Sequence, residues 1–119
     1  MIVLDTNVLS AMMRAEAEPA VIDWLDRQAP DTLTITAVTV AELLDGLDEE
    51  FADRVLPFAE NAAVHYAALV SERERAGRPI SMADAQIAAI GRHHAATLAT
   101  RNRKDFEGIG VMLADPWGD

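Results

Sequence analysis

The chain has 119 residues, 20 acidic and 10 basic, for a formal charge of −10, with 50% hydrophobic residues and no cysteine. This length suits one domain over 1–119 that buries a core without covalent staples; the missing cysteines exclude a disulfide framework, a thiolate metal site and a cysteine nucleophile. A 25% charged share beside that apolar content excludes disorder, and no apolar run nears the ~18 residues of a membrane span.

In chain order, Ile2–Leu4 is a short apolar run that predicts a buried strand. The opening MIVLDTNVLS has no basic segment and places Asp5 inside its apolar stretch, unlike a secretory signal, so the expected location is the cytoplasm. Thr6 or Asn7 is placed to cap a helix from Val8 to about Arg14. Pro19 suits the first turn of a second helix with Val21, Ile22 and Leu25 on one face, ending near Gln28-Ala29-Pro30. Leu33–Ile35 reads as a second strand. Thr36 then starts a helix through Leu47, striped by Val40, Leu43, Leu44 and Leu47. Arg54–Phe58 (RVLPF) reads as a third strand ending at Pro57. Glu60 to Ala76 is the longest predicted helix, closed by Gly77. Ser81 opens another, to about His94. Thr97–Thr100 and Gly110–Leu113 are the fourth and fifth strands. Strands alternating with helices predict an α/β fold, with helices on both faces of a parallel sheet.

The charge is uneven. Residues 1–50 hold 2 basic and 11 acidic side chains, whereas residues 71–119 hold 7 of each. Overall acidity opposes passive nucleic-acid binding, which rests on cations neutralising phosphates. The last 49 residues nonetheless carry two basic clusters, Arg73/Arg75/Arg78 and Arg101/Arg103/Lys104. Each reads either as a solvated surface or as a phosphate-attracting patch.

In parallel sheets of this kind, ligands sit beyond the carboxyl ends of the strands. Asp5 follows the first strand, Glu42 lies on the helix after the second, and Asp84 sits in the first turn of the Ser81 helix. Asn102 and Asp105 follow the fourth strand. Carboxylates converging at one edge repel by ~4 kcal/mol for a close pair at an effective dielectric near 20. Such a cluster persists only when protons or cations neutralise it. Oxygen donors without Cys or His suit Mg²⁺ or Mn²⁺ rather than zinc. Plainer readings stand beside this one. Asp5 and Asp105 are placed to cap helices, Glu42 to face solvent, and Asp84 to complete an S-x-x-D capping box with Ser81. Asp45, Asp48, Glu49 and Glu50 read as a solvated run. His93 and His94, adjacent on one helix, cannot chelate a single ion together and suit the helix C-terminus. Trp24 and Trp117 read as packing residues.

The segments MIVLDTNVLS, ITAVTVAELLDGL, RVLPF, GRPISMADAQIAAIGRHHAATLATRNRKDF and DPWGD, in this order, resemble a PIN-domain nuclease of the VapC toxin type. The resemblance implies a PIN-like three-layer α/β/α fold with about five parallel strands. It implies Mg²⁺- or Mn²⁺-dependent hydrolysis of RNA, a homodimer, and inhibition by a small antitoxin protein with a basic tail. Asp5 and Asp84 match the first and third acids of the family, its principal metal ligands, and Glu42 matches the second, which holds a water. The fourth acid falls at Asn102, which keeps an oxygen donor but loses the charge; Asp105, three residues on, is the expected substitute. Relatives carry an extra helix before RVLPF, where this chain has only DEEFAD between Leu47 and Arg54.

Other α/β classes match less well. A phosphorylated receiver domain needs paired acids after its first strand and a Lys after its last, and a haloacid-type phosphatase needs D-x-D where this chain has D-T-N. A catalytically weak or inactive PIN-like binding module, engaging a partner protein or RNA, is the main alternative because of Asn102 and the short middle segment.

Overall fold

The computed structural model describes residues 1–14, 16–43 and 54–118. Five parallel strands, β1 (Ile2–Leu4), β2 (Leu33–Thr36), β3 (Val55–Leu56), β4 (Thr97–Ala99) and β5 (Met112–Ala114), form one sheet in the order β3-β2-β1-β4-β5. Six α-helices are described: α1 (Thr6–Met13), α2 (Pro19–Asp26), α3 (Ala37–Glu42), α4 (Glu60–Arg75), α5 (Met82–His93) and α6 (Arg103–Phe106). A 3₁₀ turn at Pro30–Thr32 leads into β2.

Alternation along the strands divides the core in two, because successive side chains point to opposite faces. Val3 and Leu98 join Leu69, Ile87, Phe106 and Ile109 under α4, α5 and α6. Leu4, Ile35 and Ala99 join Val8, Leu9, Val21 and Leu25 under α1 and α2. The result is the expected three-layer α/β/α arrangement. No helix among the described residues is long and apolar enough to cross a membrane.

The strand order positions the site. From central β1 the chain builds outward through β2 and β3, then crosses to β4 and β5 on the other side. The reversal opens a crevice at the carboxyl ends of β1 and β4, where parallel sheets bind ligands. Asp5 leaves β1 there, its backbone N–H donating to the Ala99 carbonyl at 2.9 Å.

Several boundaries differ from those read in the sequence. The first helix starts at Thr6 rather than Val8, and its cap is Asp5 rather than Thr6 or Asn7, since the Asp5 carboxylate accepts the Thr6 N–H. Helix α3 ends at Glu42, with Leu43 outside helical geometry (φ −116°, ψ 58°). Its β-branched run Val38-Thr39-Val40 is a weak helix former. Leu44, Leu47 and the acidic run from Asp45 to Glu50 lie outside the described residues. The third strand is only Val55–Leu56 and stops before Pro57, which lacks the N–H to extend a ladder. The fifth strand begins at Met112, because Gly108 and Gly110 hold positive φ (76° and 79°) that extended pairing does not use.

Candidate active site

Asp5 is 4% exposed and directly follows β1, at the carboxyl edge of the sheet. One carboxylate oxygen accepts the Thr6 N–H at 2.8 Å, and the other accepts the Thr100 hydroxyl, also at 2.8 Å. Burial pushes the Asp5 carboxyl up to about 6, against those two hydrogen bonds and with further push from the charges of Asp84 and Glu42. Asp84 stands in the first turn of α5, whose cap is Ser81; the Asp84 N–H donates to the Ser81 hydroxyl at 3.2 Å. Burial again raises the Asp84 carboxyl, the Ser81 side chain opposes it, and the charges of Asp105 and Glu42 add to the rise.

Glu42 ends α3 and is exposed. Its carboxylate accepts the Thr6 hydroxyl at 2.6 Å. Thr6 therefore serves two acids at once, Asp5 through its N–H and Glu42 through its side chain. The Thr6 hydroxyl also lies 3.0 Å from the Thr39 hydroxyl, and the Thr39 N–H donates to the buried Thr36 hydroxyl at 3.1 Å. A second support runs through Thr100, fully buried, whose hydroxyl accepts from the Asn102 N–H at 3.0 Å and from the Asn7 amide at 3.4 Å.

The structure thus brings Asp5, Glu42 and Asp84 within reach of one another's charge, and Asp105 within reach of Asp84. Asn102 sits at the start of α6, its backbone bound to Thr100 and its side chain making no cap. The acids sense one another's charge, but among the described residues no three His, Asp or Glu side chains close into a cage for an ion. The donors are oxygens, and two carboxyls are raised by burial and neighbouring charge. Such a set suits a hard divalent cation that keeps much of its water.

Sequence reasoning missed Thr6, Asn7 and Thr100 as parts of this site. The available signal was position, since all three adjoin the carboxyl ends of β1 and β4. It also left both readings of Arg73 open, and neither holds. Arg73 is buried and donates to the backbone carbonyls of Arg78, Asp105 and Glu107. Exposed Arg78 donates to the Lys104 carbonyl at 2.9 Å. The second cluster remains at the surface, where Arg101, Asn102, Arg103, Lys104, Asp105 and Glu107 line a groove of about 520 Å³. The Arg101 guanidinium lies 5.0 Å from the ring centre of Trp117.

The PIN-domain profile matches residues 2–111, nearly the whole chain. The chain belongs to the PIN-domain family. This PIN domain is 38% identical to "VapC ribonuclease Y4jK" of Sinorhizobium fredii over 98% of both chains. It is 35% identical to "Toxin FitB" of Neisseria gonorrhoeae over 100% of both. The FitB alignment spans 139 positions against 119 residues here, a surplus of 20; this PIN domain is the shorter chain. Among solved structures, FitAB bound to a DNA fragment superposes with a TM-score of 0.90 at 34% identity, covering 100% of this chain and 97% of that one.

Proposed function

We propose that this chain is a divalent-metal-dependent ribonuclease toxin of a toxin–antitoxin pair, acting as one PIN unit over 1–119 in the cytoplasm. The observation that carries the reading is the convergence of Asp5, Glu42 and Asp84 at the crevice between β1 and β4, with Asp5 buried and its carboxyl raised. The likeness to a VapC ribonuclease and to toxin FitB supports the same reading.

Asp5 and Asp84 are the ligands for Mg²⁺, with Mn²⁺ as a substitute. The bound ion supplies charge neutralisation at the phosphate and a water of lowered pKa. Asp5 enters this role with one lone pair on each oxygen committed to Thr6 or Thr100, which fixes its orientation and leaves other lone pairs to face the cup. Glu42 orients the attacking water and accepts its proton. The Thr6 hydroxyl bond holds one Glu42 oxygen and leaves the other for that task. Asp105 supplies the fourth negative charge beside Asp84, and Asn102 contributes at most a neutral oxygen. Arg101, Arg103 and Lys104 attract the RNA backbone toward a cup that otherwise repels it.

FitAB bound to a DNA fragment and FitAcB of Neisseria gonorrhoeae each contain a chain 34% identical to this one. A small antitoxin whose basic tail enters the cup, and a toxin homodimer, are the corresponding expectations here. An arginine placed among these acids would compete directly with the metal. The test is cleavage of a mixed RNA pool with Mn²⁺ and with chelator. The parent should cleave only with metal, and Asp5→Asn and Asp84→Asn should each lose at least ~100-fold of the rate while remaining folded. RNA binding without cleavage by the parent would favour the binding-module alternative.

A further inference from the structure

Arg73 is 6% exposed, and its hydrogen bonds go to carbonyls. The guanidinium enters from the last turn of α4 and holds the carbonyls of Asp105 and Glu107, the C-terminal end of α6. Its Nε, also buried, finds no acceptor among the described residues. A buried cation is a poor device for stability alone, since desolvation cancels most of what it gains. Its rigid fork is a good device for fixing a backbone. Helix α6 needs that, because four residues leave its terminal carbonyls without intrahelical partners. Arg78 adds a second tie at the Lys104 carbonyl. Between them the two arginines hold the carbonyls of Lys104, Asp105 and Glu107, on either side of and at Asp105 itself. Aspartate is short, so the position of its backbone largely decides where its carboxylate stands.

We propose that Arg73 is a positioning residue for the metal cup: by holding the Asp105 and Glu107 carbonyls from beneath, it sets the distance between the Asp105 and Asp84 carboxylates. This rests on the metal-dependent reading of the site. Arg73 touches neither RNA nor metal and acts only through Asp105. With Asn102 neutral, Asp105 is the acid after β4 whose charge reaches Asp84, so the tie governs how strongly the cup draws a cation.

The test is Mn²⁺ alone, titrated into metal-free protein with free Mn²⁺ read by electron paramagnetic resonance. Arg73→Lys keeps the charge but loses the fork. It should weaken Mn²⁺ binding several-fold, as should Asp105→Asn, and the double variant should bind no more weakly than Asp105→Asn. Unchanged Mn²⁺ affinity in a folded Arg73→Lys, with only a lower melting temperature, would overturn the proposal; so would losses that multiply in the double variant. If Arg73→Lys does not fold, Arg78→Ala removes the exposed tie without opening the core. It should weaken Mn²⁺ binding more mildly in the Asp105 background and not in Asp105→Asn, and parent-like affinity would count against the proposal. Asp84→Asn separates the two levels. If it weakens binding while Asp105→Asn does not, the metal cup stands and the role of Arg73 fails; if Asp84→Asn binds as the parent does, the metal reading itself fails.

Discussion

Asp5 carries opposing demands. It caps α1, accepts Thr100, and keeps a carboxylate in a buried place beside two other acids. In the metal-free protein its folded pKa of about 6 exceeds the ordinary 3.8, so the folded state holds the proton more tightly than the unfolded chain. That contribution to stability is complete below pH 3.8 and is lost as pH rises through about 6. The shift corresponds to about 3 kcal/mol. Asp5→Asn keeps a capping oxygen and cannot ionise. It should therefore be more stable than the metal-free parent above pH 7, by up to about 3 kcal/mol, and match it near pH 3.5. Urea unfolding at the two pH values checks this; equal stability at both would mean that Asp5 is not strained by its charge. The acids themselves were legible in the sequence because position relative to strand ends is a strong constraint. Thr6 and Thr100 were not, because a hydroxyl that donates to a distant acid leaves no periodic trace.

Among the elements, α5 shows how one cap serves both folding and chemistry. Ser81 accepts the Asp84 N–H and interacts with its carboxyl, so the same hydroxyl starts the helix and steadies a proposed metal ligand. Ser81→Ala should cost about 1 kcal/mol of stability, read as a lower urea midpoint, and should weaken Mn²⁺ binding as well. A stability loss with unchanged Mn²⁺ affinity would confine Ser81 to capping. The long helices were readable from the Gly77 that closes α4 and the Ser81 that caps α5. By contrast β3 has two residues and α6 four, lengths at which hydrophobic period carries no signal. Their places are set by tertiary ties, such as the Arg73 bonds to the Asp105 and Glu107 carbonyls. A residue inside a basic cluster thus became a buried strut, a fate that charge pattern alone cannot distinguish from a solvated face.

For the whole molecule, a charge of −10 and the proposed RNA substrate make encounter the difficulty, and the strand order offers its solution. The same crossover that places Asp5 at the crevice sends the chain from β4 into Arg101–Lys104, which lines the neighbouring groove. Lys104→Glu should raise KM for RNA several-fold while leaving kcat within about twofold, because it changes attraction rather than the reacting groups. A fall in kcat with KM unchanged would instead place Lys104 in the chemical step. The three-layer fold was legible because alternating strands and helices admit few arrangements, and the carboxyl edge of that sheet is where acids after β1, on α3 and on α5 come within reach of one another's charge. The most direct test of the cup is anomalous diffraction from crystals soaked in Mn²⁺. A peak touching both Asp5 and Asp84, with Glu42 on the water side, is the predicted result. Well-ordered density with the peak elsewhere, or no peak between those two carboxylates at saturating Mn²⁺, would contradict it.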